Sequence, residues 1–240
     1  MPRSRLPRSS PAERVGRTTQ VYRKLRELIV HGRLAPGARI TEIEAAERLG
    51  VSRTPLRSAL QRLQQEGYII APVNGRRARM FVAPLTREDS TELMHIIGEI
   101  EGLAARNAAG LNPRLRSDLV DQMTVLNGKL ARAAEAPRPQ AGTIFEVDLA
   151  FHAAFVVAGA GPRLLGLHQA TKPQAERYGR VYAAALTGAT QVSVNEHAEI
   201  VRAIAQGDGD AAQRAVLGNW RNAAARLSQV IEAAGERGGW

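Results

Sequence analysis

Residues 49–69 read LGVSRTPLRSALQRLQQEGYI, and this stretch decides the fold of the N-terminal third. Gly50 closes one helix, Ser52 opens the next, and Pro55 falls within the first turn of that second helix, where a missing N–H costs little. Leu56, Leu60 and Leu63 recur at helical spacing and form its apolar face. Arg53 and Arg57, four apart, project together from another face near its N-terminus, flanked by Thr54 and Ser58. Upstream, Thr41 and Glu44 fit a T-x-x-E capping box at the start of the preceding helix, whose buried stripe reads Ile43, Ala46 and Leu49. Two short helices joined by a turn about three residues long, with glycine at the junction, predict a helix-turn-helix.

The neighbouring sequence extends the same unit. Val21, Leu25, Leu28 and Ile29 mark an earlier helix with one buried face, ended by Gly32 and then Pro36-Gly37. Downstream, residues 68–84, YIIAPVNGRRARMFVAP, are two β-like apolar stretches around the Asn74-Gly75 turn signal and predict a wing. Arg76, Arg77 and Arg79 lie at or just beyond its tip, within reach of phosphates or a minor groove. The first 18 residues, rich in Pro, Ser and Arg and without apolar periodicity, read as a basic disordered arm.

The charge distribution agrees with a polyanion-binding module. The chain has a net charge of +10, yet residues 1–84 hold 17 basic and 6 acidic side chains, and the remainder is close to neutral. In a recognition helix the N-terminal residues meet base edges, where arginine grips guanine O6 and N7, so Ser52, Arg53, Thr54 and Arg57 are the candidate DNA contacts. The absence of cysteine excludes disulfides, thiolate metal sites and cysteine nucleophiles, and suits a reducing cytoplasm. No signal-peptide core is recognisable, and no run is read as approaching the roughly 20 apolar residues of a membrane span, so no membrane partner is expected.

Residues 85–240 are rich in Ala and Leu and break into six helix-length pieces near 86–109, 112–134, 143–159, 162–186, 190–206 and 209–233. They predict an all-α antiparallel bundle, giving a mainly α protein with a winged helix-turn-helix at 19–84 and a helical domain behind it. Asp148 and His152, four apart on one helix face, can both reach one cation.

Residues 49–69 and the preceding GRLAPGARITEIEAAERLG resemble the GntR family of bacterial regulators, over roughly 19–84. That resemblance implies a homodimer on an inverted-repeat DNA operator, with Arg53, Thr54 and Arg57 on bases or phosphates. Ser58 stands where the family commonly has Glu, and the arginine run of the wing replaces Arg-Gly-Ala. DLAFH at 148–152 and EHAEIVRAIAQGD at 196–208 resemble the FCD ligand-binding domain of the FadR subfamily. Members with a metal site hold zinc or nickel through an Asp and three His, and an effector carboxylate completes the shell. Asp148, His152 and His197 match the first three ligands, and the fourth falls at Asn219, whose neutral carbonyl is a poorer zinc donor than imidazole. Ile97 stands where many relatives place an Arg one turn before the residue matching Glu101. Glu101, Arg106, Tyr178 and Asn219 are the candidate effector contacts. The implied function is a DNA-binding transcriptional regulator, usually a repressor in that family, controlled by a small molecule such as an organic acid. A metal-dependent enzyme with a basic end and a nonspecific architectural DNA binder are the alternatives.

Overall fold

The computed structural model describes residues 11–71 and 80–238. The arginines of the wing tip, Arg76, Arg77 and Arg79, the Asn74-Gly75 turn and the first ten residues of the arm lie outside them. The chain divides into two compact units, residues 1–84 with 237–240, and residues 85–236.

The first unit holds α1 (Pro11–Val30), β1 (Arg39–Ile40), α2 (Glu42–Leu49), α3 (Arg53–Gln65), β2 (Ile69–Ile70) and β3 (Met80–Val82). α1 starts at Pro11, so residues 11–18, read from sequence as arm, are helical; proline is well tolerated in a first helical turn. Val21, Leu25 and Ile29 of α1 pack with Leu56, Leu60 and Leu63 of α3 and with Tyr68 in one core. Gly50 ends α2 in the left-handed region at φ 64°, a conformation that costs glycine nothing and turns the chain into α3. β2 and β3 pair antiparallel, Ile69 opposite Val82, and β3 also pairs with β1, a strand not anticipated from sequence. Two details of α2 differ from the sequence reading. Thr41 occupies the N-cap but its Oγ1 is buried with no partner, so the capping box does not form. Ile43 is 56% exposed, because α2 is only two turns long and buries Ala46 against α3.

The second unit is an all-α bundle of α4 (Arg87–Ala109), α5 (Pro113–Ala134), α6 (Ala141–Gly159), α7 (Pro162–Leu186), α8 (Thr190–Gln206) and α9 (Gly209–Ala234), with a 3-10 turn at Thr187–Ala189. The ends follow local chemistry. Thr86, Asn112 and Asp208 accept hydrogen bonds from Asp89, Leu115 and Ala211 backbone N–H at 3.2, 3.0 and 2.9 Å, capping α4, α5 and α9. α4 is the central helix, packed against α6, α7, α8 and α9, and Ile97 is fully buried on it. α6 is long and apolar enough to cross a bilayer by length and composition, contrary to the sequence reading. Here it packs on α4, α5 and α7 and carries Asp148 and His152.

Candidate functional site

α3 buries its leucines fully and thereby exposes the opposite face, where Ser52, Arg53, Thr54, Arg57 and Ser58 all lie open to solvent. Ser52 is the N-cap residue but its hydroxyl makes no capping bond. Arg57 Nε donates to both carboxylate oxygens of Glu42 on α2, at 3.0 and 2.8 Å. This pair sits on the rim of the exposed face and holds Arg57 away from full freedom.

In the bundle, α6 and α8 bring Asp148, His152 and His197 together, with one candidate ligand atom from each lying within 4.8 Å of the others. His197 is fully buried, its ring stacked on Phe151 at 3.8 Å between centroids, and neither ring nitrogen has a hydrogen-bond partner. Asp148 Oδ1 lies 3.6 Å from its Nε2. Burial, then the neighbouring His152, pushes the His197 imidazole well below its usual value, so it is neutral and offers a lone pair. Burial also raises the Asp148 carboxyl, against the pull of His152 and Lys172.

Behind this group lies a fully buried carboxylate, Glu101 on α4. It accepts hydrogen bonds from His152 Nδ1 at 2.6 Å, His168 Nε2 at 2.9 Å, Lys172 Nζ at 2.8 Å and Trp220 Nε1 at 2.8 Å. Burial alone would raise Glu101, but Lys172 and His152 outweigh it and hold the carboxyl well below its ordinary range. An ionised carboxylate only accepts, so His152 Nδ1 carries a proton on that bond, and Nε2 is the ring nitrogen left for a cation, which binds the deprotonated form. Orphaned His197 nitrogens, a His152 tautomer fixed by a carboxylate and the adjacent Asp148 form a donor set that suits a divalent cation such as zinc, with three protein ligands and a position open.

The group stands at the edge of a cavity of about 140 Å³ whose walls include Ile144, Phe145, Asp148, His152, Lys172, Glu176, Ser193, Asn219 and Arg226. Gly179 lets α7 approach closely here, since a Cβ at that position would collide with the Phe145 ring. Asn219, at the position of the fourth expected ligand, is buried and lines this cavity, but its amide nitrogen donates to Glu196 at 2.8 Å. Glu196 also accepts from both terminal nitrogens of Arg226 at 3.1 Å and from Asn222 at 2.8 Å.

The other effector candidates fall elsewhere. Glu101 touches the cavity only through His152, Lys172 and Trp220. Arg106 is half exposed beside Asp210 at 3.0 Å. The Tyr178 hydroxyl donates to Asp89 at 2.5 Å and accepts from Thr86 N–H at 3.1 Å, securing the start of α4. Neither Arg106 nor Tyr178 lines the cavity. Sequence reasoning missed Lys172, Glu176, Glu196, Trp220 and Arg226. The i, i+4 spacing of Lys172 and Glu176 on one helix and the adjacency of Glu196 to His197 were the only available signals.

Comparison with known proteins places both units. Residues 17–77 match the family of bacterial regulatory proteins named gntR, and residues 92–222 match the FCD domain. A transcriptional regulator of the HTH type from an unstable DNA locus of Streptomyces ambofaciens is 32% identical over 230 residues, covering 85% of this chain and 83% of its own. The HTH-type transcriptional repressor RspR of Escherichia coli is 28% identical over 212 residues, 88% of this chain and 89% of its own. The crystal structure of a GntR regulator from Rhodococcus sp. RHA1 superposes with a TM-score of 0.65 at 26% identity, covering 91% of this chain and 99% of that one.

Proposed function

Because the chain belongs to the GntR family of bacterial transcriptional regulators and carries an FCD domain, we propose that it reads a specific DNA operator through α3 under the control of a ligand bound in the helical unit. The family is one of regulators, not enzymes, and it works in the bacterial cytoplasm. The observation that carries the DNA reading is the exposed face of α3, on which Arg53, Thr54 and Arg57 stand together at the helix N-terminus. Among the described residues Arg53 has no hydrogen-bond or ion-pair partner, whereas Arg57 must first leave Glu42. Ser52 and Thr54 hydroxyls contact phosphates, and Arg76, Arg77 and Arg79 of the wing add further backbone contacts. A homodimer places two such helices on an inverted repeat, and the similarity to the transcriptional repressor RspR favours repression.

In the helical unit Asp148, His152 and His197 would hold a divalent metal, zinc or nickel, with Asn219 where members of the FadR subfamily with a metal site have a third His. The metal supplies a Lewis-acid centre that attracts the carboxylate of a small organic acid. Glu101 fixes the His152 tautomer, Phe151 holds the His197 ring, and the apolar walls at Ile144 and Phe145 exclude water from the bound acid.

Gel-shift titration of the full chain against genomic fragments tests this function. A subset of fragments bound far more tightly than the rest, with the preference lost in Arg53→Ala, is the expected result. Equal affinity for all fragments with a steep salt dependence would leave a nonspecific architectural binder instead.

A further inference from the structure

The cations and the carboxylates of the cavity are unequally committed. Lys172 is engaged by Glu101 and stacked over Trp220 with Nζ 4.2 Å from the ring centroid. Arg226 is engaged by Glu196 through two nitrogens. Asp148 belongs to the metal-binding group. Glu176 is different. Its nearest charged partner is Arg180 at 3.8 Å, and Arg180 already donates to Glu146 at 2.8 Å. Glu176 lines the cavity on the same face of α7 as Lys172, one turn further along, and is mostly buried.

A molecule that fills this cavity would cut Glu176, still about 21% exposed, off from solvent. The carboxylate would then keep only the distant Arg180 as an ion-pair partner among the described residues, and a buried carboxylate so poorly satisfied discriminates against ligands that cannot hydrogen-bond to it. We propose that the effector is a short ω-amino acid, with a carboxylate directed to the Asp148–His152–His197 group and an ammonium, a few carbons away, received by Glu176. The proposal rests on the metal-centred reading above and adds the second recognition point. A cavity of about 140 Å³ suits a short connecting chain, whose methylenes run along Ile144 and Phe145. Burial raises the Glu176 carboxyl, against Lys172 and Arg180, consistent with a carboxylate short of donors. An ammonium at that place removes the shortage.

The test is calorimetric titration of the zinc-loaded protein with 4-aminobutanoate, 5-aminopentanoate and 6-aminohexanoate, and with the unsubstituted acids of the same lengths, on the wild type and on Glu176→Gln. Glu176→Gln keeps the shape of the side chain and removes its charge, including that facing Arg180 at 3.8 Å. At least one amino acid should bind tenfold or more tightly than its unsubstituted counterpart, and the advantage should disappear in the variant while the plain acids bind as before. Plain acids binding equally well in a zinc-dependent way would overturn the ammonium site and leave the metal site standing. A preference that survives Glu176→Gln would also overturn it. Failure of every compound to bind, in protein that retains no zinc, would overturn both readings.

Discussion

On the proposed DNA-binding reading, the Arg57–Glu42 pair links folding to recognition. Their ion pair is exposed, with Arg57 62% open, so its contribution to stability is small. Its larger effect is on DNA: Glu42→Gln should free Arg57 and raise affinity a few-fold, whereas Arg53→Ala should cost about 1–3 kcal/mol of discrimination at one base pair. Anisotropy titrations on matched and single-mismatch duplexes separate the two effects, and a uniform loss across all sequences in Arg53→Ala would reduce that residue to a phosphate contact. In the bundle the corresponding residue is Glu101. Glu101→Gln removes the charge that fixes the His152 tautomer, and zinc affinity measured against a chromophoric chelator should fall roughly 10–100-fold. Unchanged affinity would mean that His152 is held in place by packing alone.

At the scale of elements, the helices were legible because their ends are written in short-range chemistry. Asn112-Pro113, Gly161-Pro162 and Gly207-Asp208 mark boundaries in a single chain segment, and α4 to α9 begin and end close to where those signals fall. α2 shows the limit of the same logic: the T-x-x-E pattern is present, but Thr41 Oγ1 turns inward and remains unbonded. The ionic walls of the cavity were not legible. Lys172 meets Glu101, and Arg226 meets Glu196, only because α4 packs on α7 and α8 on α9, and a buried ion pair leaves no periodic trace along the chain. Asp148, His152 and His197 were legible as types of residue, but the stacking on Phe151 and the tautomer were not. α8 also carries a pH dependence. Burial and the nearby His152 lower the His197 value, so below about pH 6.5 the unfolded chain binds a proton that the folded chain excludes. Stability of the metal-free protein should therefore fall as pH drops from 7.5 to 5.5, less steeply in His197→Gln. Glu101, held below the ordinary carboxylate range, keeps its stabilising charge through that window and loses it only in stronger acid. Urea melts in the presence of a chelator measure both slopes, and equal slopes would remove His197 as the cause.

For the whole molecule, a basic unit that exposes arginines on α3 is joined in one chain to a near-neutral bundle that encloses polar groups around a cavity. Within the bundle, Tyr178 of α7 accepts from the Thr86 N–H at the start of α4, and α7 also forms a wall of the cavity through Lys172 and Glu176. A ligand in the cavity therefore meets the helix that also secures the start of α4, and the proposed regulation would be read as a change in operator affinity of the 5–150-fold size typical of coupled sites. The most direct test is the affinity of the full chain for its selected DNA fragment, measured by anisotropy in zinc-loaded and chelator-stripped protein, with zinc content determined in the same samples and Asp148→Ala alongside. A difference of about fivefold or more that vanishes in Asp148→Ala is the predicted result, and identical affinities for protein proven to hold and to lack the metal would contradict it.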